Sequence, residues 1–175
     1  MPEWIKSLFL GILQGLTEFL PVSSSGHLVV FQKILGMDLG SGAMAFDLLL
    51  HLGTLIAVIV FYRRRIHELL CQSLRLVSGK ASLQEAPSRF LIAILICSIP
   101  TGILGLLIEK KMEWTFDSAV FASLMMLITG GILLITRWTS PVNKEVGFLQ
   151  ALLIGIVQGI AVFPGISRSG GTVSA

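Results

Sequence analysis

Glu18, Ser24 and His27 lie close together in an apolar stretch, and Arg168 stands in a second such stretch near residue 175, the last. A hydroxyl near an imidazole and a carboxylate is the general pattern of an activated nucleophile. Ser24 and His27, three residues apart at a helix start, would share one face. Arginine holds phosphate in a planar fork that no other side chain supplies. The flanking Ser23, Ser25 and Gly26, and Ser167, Ser169 and Gly170, add hydroxyls and small residues that let backbone amides approach an anion. Each group also has a structural reading. The serines could simply cap helices, Glu18 could be neutralised by a neighbouring helix, and Arg168 could pair with Glu18. Together the four groups read as a phosphate pocket with a base attached.

The two stretches are copies. Aligned without gaps, they share Gly11/Gly155, Ile12/Ile156, Gln14/Gln158, Gly15/Gly159, Phe19/Phe163, Ser23/Ser167, Ser25/Ser169 and Gly26/Gly170. Each runs an apolar helix into a break marked by Pro21 or Pro164 and by serines. A membrane protein that doubles a broken helix builds one site from two halves.

The elements that must position these groups are membrane helices. Hydrophobic residues make up 54% of the chain and charged ones 13%, against about 25% charged in soluble domains; the mean hydropathy is +0.86. Residues 44–62, 90–108 and 118–136 each approach the roughly 20 residues that cross a bilayer. The 63–89 loop carries Arg63, Arg64, Arg65, Arg75, Lys80 and Arg89, which places it in the cytoplasm. Glu109, Glu113 and Asp117 suit the outer side, and Arg137 and Lys144 return the chain inward. Residues 4–35 read as a re-entrant hairpin entering from outside, and 148–175 as the start of a second one. Three crossings between them invert the second copy. The expected fold is all-α and polytopic, an inverted-topology repeat with an incomplete second half and both tips near the midplane. No basic leader with a cleavage site opens the chain, so a removed signal peptide is not expected. Cys71 and Cys97 have no metal spacing and read as free thiols.

The motifs Gln14 to Glu18, Pro21-Val22-Ser23-Ser24-Ser25-Gly26-His27 and Pro164-Gly165-Ile166-Ser167-Arg168-Ser169 resemble the signature motifs of the bacterial undecaprenyl-pyrophosphate phosphatase family, also called the bacitracin-resistance proteins. The resemblance extends over the whole chain, including Phe46-Asp47 through Gly53-Thr54 and the basic turn after Tyr62. It implies a multi-pass enzyme of the bacterial plasma membrane. That enzyme would hydrolyse undecaprenyl pyrophosphate to undecaprenyl phosphate and inorganic phosphate, recycling the cell-wall lipid carrier. It implies Ser24 as nucleophile, with His27 as its acid/base partner; Ser24 and His27 both remain candidates to take the phosphoryl group. Glu18 would assist catalysis and Arg168 would hold the pyrophosphate. A divalent cation, Mg²⁺ or Ca²⁺, would be held by Glu18 and Gln14, although Gln14 stands where many members carry glutamate. Partners are the polyprenyl lipid and the bilayer; a homodimer is compatible with such a bundle, and no nucleic acid is expected. Family members run longer, so a truncated chain, inactive without the remainder, is also an expectation.

Two other functions share parts of the pattern. A lipid-phosphate transporter or flippase would use Arg168 and helix ends without needing Ser24, His27 and Glu18 together. An intramembrane serine protease would not call for an arginine and a doubled anion-binding tip. Asp47 and His51, four apart on the first full span, either line the site or satisfy each other within the bundle.

Overall fold

The computed structural model describes residues 1–37, 42–80, 82–83, 85–111, 118–138 and 147–174. Eight helices and no strand occur among the described residues: α1 (Glu3–Thr17), α2 (Ser24–Ile34), α3 (Ala43–Phe61), α4 (Arg63–Val77), α5 (Ala86–Lys111), α6 (Ala119–Thr136), α7 (Phe148–Ile160) and α8 (Arg168–Ser174). The side chains of 109–117 and of Lys144, on which part of the expected topology rests, lie outside that description.

Among the described residues, three helices are long and apolar enough to cross a membrane: Ala43–Phe61, Ala86–Ile108 and Ala119–Thr136. Protein buries no residue of α3, and Leu48, Leu55 and Ile59 are open along its length. Such a surface is stable only in an apolar solvent, and the chain is a multi-pass membrane protein. The remaining apolar helices, α1, α2 and α7, are too short to span singly.

The most extensive helix pairing is α5 on α7. It is close because Gly155 has no side chain: a Cβ there would overlap the Cys97 carbonyl oxygen and the Pro100 ring. Thr101 Oγ1 donates across the contact to Gly155 O at 2.9 Å. Further along, Gly105 meets Val162. The pairings rise together in number, so α5 and α7 are parallel and begin on the same side of the bundle. The second break, 161–167, sits against α6 between Ala122 and Thr129, within that helix's membrane-spanning length, and Gly26 at the start of α2 meets α6 at Met126.

Two local readings change. Sequence placed Glu18 inside an apolar helix running to Leu20; the helix ends at Thr17, and Glu18 is its C-cap, donating its N–H to Gln14 O at 2.9 Å. Pro21 disfavours helical backbone at Leu20, and the chain turns, Val22 N–H donating to Leu20 O at 2.8 Å. The basic stretch after Tyr62, read as a loop, begins with the fifteen-residue helix α4. Its buried Gln72 donates to Ser88 Oγ and Glu85 Oε2, both at 3.1 Å, fastening α4 to the start of α5.

Candidate active site

Ser23 assembles the site. It is 4% exposed, caps α2 by accepting from Gly26 N–H at 3.3 Å, and is the one non-glycine residue with positive φ (62°) among the described residues. The same Oγ accepts from Gly165 N–H at 3.1 Å. One hydroxyl therefore closes the first tip and binds it to the second. Gly26 and Gly165 meet there: a Cβ on Gly26 would stand 2.8 Å from Gly165 Cα. Gly165 itself has φ of 99°, and a Cβ on it would collide with the Ala122 carbonyl.

The second tip repeats the cap. Ser167 Oγ accepts from Gly170 N–H at 3.0 Å, as Ser23 does from Gly26. Thr129 of α6 holds this tip from both sides, its Oγ1 donating to Gly165 O at 2.9 Å and accepting from Ser167 N–H at 3.1 Å. Ser169 Oγ bonds Leu20 O of the first break at 3.0 Å and lies 3.0 Å from Ser167 Oγ. Arg168 stands between these two serines. Its side chain is exposed, and it forms no ion pair among the described residues; Nε donates to Ala161 O at 3.4 Å. It is not consumed by Glu18.

The first tip carries Glu18, Ser24 and His27, the groups expected to react. Ser24 Oγ donates to Glu18 Oε2 at 2.6 Å, and Gln14 Nε2 donates to the same oxygen at 2.8 Å. The expected Ser24–His27 face is not how the hydroxyl is paired. His27 turns Nδ1 toward Ser23 O, 2.8 Å away, one helical turn back. A carbonyl only accepts, so Nδ1 carries the proton and Nε2 is left as the open acceptor. The ring lies nearly parallel to Phe31, 10° between planes. Ser25 lies in the first turn of α2 beside Gly26.

His51 of α3 joins the same carboxylate, its Nε2 4.0 Å from Glu18 Oε2, while its Nδ1 lies 2.7 Å from Asp47 O. Asp47 receives Gln32 Nε2 from α2 at 2.6 Å rather than pairing with the His51 ring. Sequence spacing put Asp47 and His51 on one face but could not say that the face meets Glu18.

Gln14 is 1% exposed, and its Oε1 is buried without a hydrogen-bond partner. A neutral oxygen left over beside a carboxylate suits a hard cation. No three His, Cys, Asp or Glu side chains among the described residues converge on a metal position, so most ligands of such a cation would come from water or a bound anion. Two open concavities, of about 650 and 460 Å³, lie elsewhere, at Leu83, Arg89, Ile92 and Phe148 and at Arg63, Arg64, His67 and Glu68.

Residues 7–175 match the family model described as bacitracin resistance protein BacA. An undecaprenyl-diphosphatase from Desulforapulum autotrophicum is 42% identical over 184 residues, covering 99% of this chain and 66% of that protein. The proteins of the same name from Methanosphaera stadtmanae and Korarchaeum cryptofilum are 39% and 43% identical, with 100% and 98% of this chain covered. The chain spans about two thirds of the length of these relatives.

Proposed function

The chain belongs to the bacitracin resistance protein BacA family, and on that premise we propose that it cleaves the terminal phosphate from undecaprenyl pyrophosphate. The observation that carries the reading is the 2.6 Å hydrogen bond from Ser24 Oγ to Glu18 Oε2, in a break stitched to the tip that bears Arg168. A carrier has no use for a hydroxyl already paired with a base.

In the proposed reaction Glu18 takes the Ser24 proton as Oγ attacks the terminal phosphorus. The bridging P–O bond breaks and the lipid monophosphate leaves. A water molecule, giving its proton to the open Nε2 of His27, then attacks the phosphoserine and releases inorganic phosphate. Arg168 and the N-terminal amides of α2 hold the phosphate charge, with the Ser23, Ser25, Ser167 and Ser169 hydroxyls and the small Gly26 and Gly170 shaping the cradle. Gln14 and Glu18 orient one another and would hold Mg²⁺ or Ca²⁺ together with substrate oxygens. The cation would supply charge neutralisation in a low-dielectric site.

This assignment places the protein in a prokaryotic plasma membrane, regenerating the lipid carrier of cell-wall synthesis and supporting bacitracin resistance. The inverted orientation of the two hairpins, the first entering from outside and the second from the cytoplasm, belongs to the same proposal and is supported by the parallel α5 and α7. A homodimer is compatible with it. The test is phosphate release from undecaprenyl pyrophosphate by purified chain in detergent, with Mg²⁺, Ca²⁺ or chelator, as it stands and within a full-length relative. Release lost in Ser24→Ala with lipid binding retained supports the reading; release unchanged by Ser24→Ala sinks it.

A further inference from the structure

Helix α4 is the element whose surface the chemistry above leaves unused. It is fastened to the end of one spanning helix and the start of the next. Tyr62 alone separates it from the spanning helix α3, and Gln72 ties it to Glu85 and Ser88 where α5 enters its span. A fifteen-residue helix is about 22 Å long, so α4 runs along the membrane boundary rather than away from it.

Its sides differ. Gln72 faces α5, and at about 100° per residue Leu70 and Leu74, two positions to either side, point roughly opposite. Leu70, Leu74 and Val77 form one edge at helical spacing and are 59%, 69% and 88% exposed. The helix carries Arg63, Arg64, Arg65 and Arg75 against a single carboxylate, Glu68, which Arg65 engages at 3.1 Å. Arg63 caps the end of α3 by donating to Val60 O at 2.9 Å. Arg64 forms no ion pair among the described residues, and with Arg63, His67 and Glu68 it lines the open 460 Å³ concavity.

We propose that α4 lies in the plane of the membrane interface as a binding surface for anionic phospholipid. The Leu70, Leu74 and Val77 edge enters the acyl-chain boundary, and the concavity of Arg63, Arg64, His67 and Glu68, whose carboxylate is engaged by Arg65, holds a phosphate headgroup. An apolar edge beside excess arginine, at headgroup depth, is the pattern of a helix that lies on a charged leaflet. The long arginine stems reach headgroups while the helix axis sits lower.

The test uses the whole chain in nanodiscs, with Cys71 and Cys97 changed to serine and one bimane label placed at Leu74→Cys or Glu68→Cys. Lipids brominated in the acyl chain should quench the Leu74 label, which iodide in the water should not reach; the Glu68 label should behave in the opposite way. Iodide access at Leu74 would overturn the proposal, and so would shielding there from both quenchers, the mark of a protein partner. The headgroup is tested in detergent by titrating phosphatidylglycerol against phosphatidylcholine. Arg64→Gln should weaken phosphatidylglycerol binding about fivefold and leave phosphatidylcholine unchanged. Equal effects on the two lipids, or none on either, would refute the headgroup site.

Discussion

The two tips share a skeleton and differ in what it carries. In each, a serine hydroxyl caps the amide three residues on: Ser23 with Gly26, Ser167 with Gly170. In each, a glutamine one helix earlier reaches into the break, but the targets diverge. Gln14 donates to the Glu18 carboxylate, whereas Gln158 donates to the backbone oxygen of Arg168 at 2.8 Å and contacts the Thr172 hydroxyl. The first glutamine orients an acid; the second anchors the residue bearing the cation. The two tips share the cap and not the charge: the first holds the Glu18 carboxylate and the second the Arg168 guanidinium.

Breaking one tip at a time should therefore give different failures. Ser24→Ala and Glu18→Gln should each lower kcat by a factor on the order of 10³ or more while lipid binding persists, measured as phosphate release beside a binding assay. Arg168→Ala should cost roughly 10²–10³, expressed in KM as well as kcat, and Arg168→Lys should restore little because an ammonium lacks the fork. Similar kinetic defects from both tips would erase the division of labour. Gly165→Ala strikes the seam itself: the positive φ and the Ala122 carbonyl oppose any Cβ, so a loss of about 1–3 kcal/mol in detergent unfolding should accompany reduced turnover. Ser23→Ala should cost about 1–3 kcal/mol by leaving two buried amides without their acceptor.

The smallest effect lies outside both tips and serves as their control. The Glu85 carboxyl sits below its ordinary value of 4.5, chiefly because Ser82 N–H donates to it, and secondarily through Gln72. Its folded value being depressed, its contribution is present above pH 4.5 and fades as pH falls through the lowered folded value. Glu85→Gln should flatten that part of an acid-unfolding profile and leave phosphate release near neutrality untouched.

Much of this was legible in the residues, and the gaps have physical causes. Long apolar runs announce spanning helices because lipid demands them on every side. Pro21 and Pro164 announce breaks because proline removes a donor. The partner of Ser24 was not legible: helical spacing favoured His27, yet a backbone carbonyl one turn back captured that ring's proton, and a carboxylate from the preceding helix was nearer. Asp47 and His51 were legible as a pair on one helical face, but spacing within one helix says nothing of which neighbour that face meets. Helix α4 was hidden by its arginines, although Ile66, Leu69, Leu70, Leu74 and Val77 recur at three- and four-residue intervals.

The hydrogen bond from Gly165 to Ser23 joins residues 142 positions apart. At about 5–20 residues per second, a ribosome needs roughly 7–30 s to deliver the second partner after the first. Throughout that interval the opening hairpin must wait in the membrane with its buried hydroxyl only half occupied. The Ser24–Glu18 pair on the newborn chain thus precedes the arginine of the second tip, and the seam between the two closes only after both have been made.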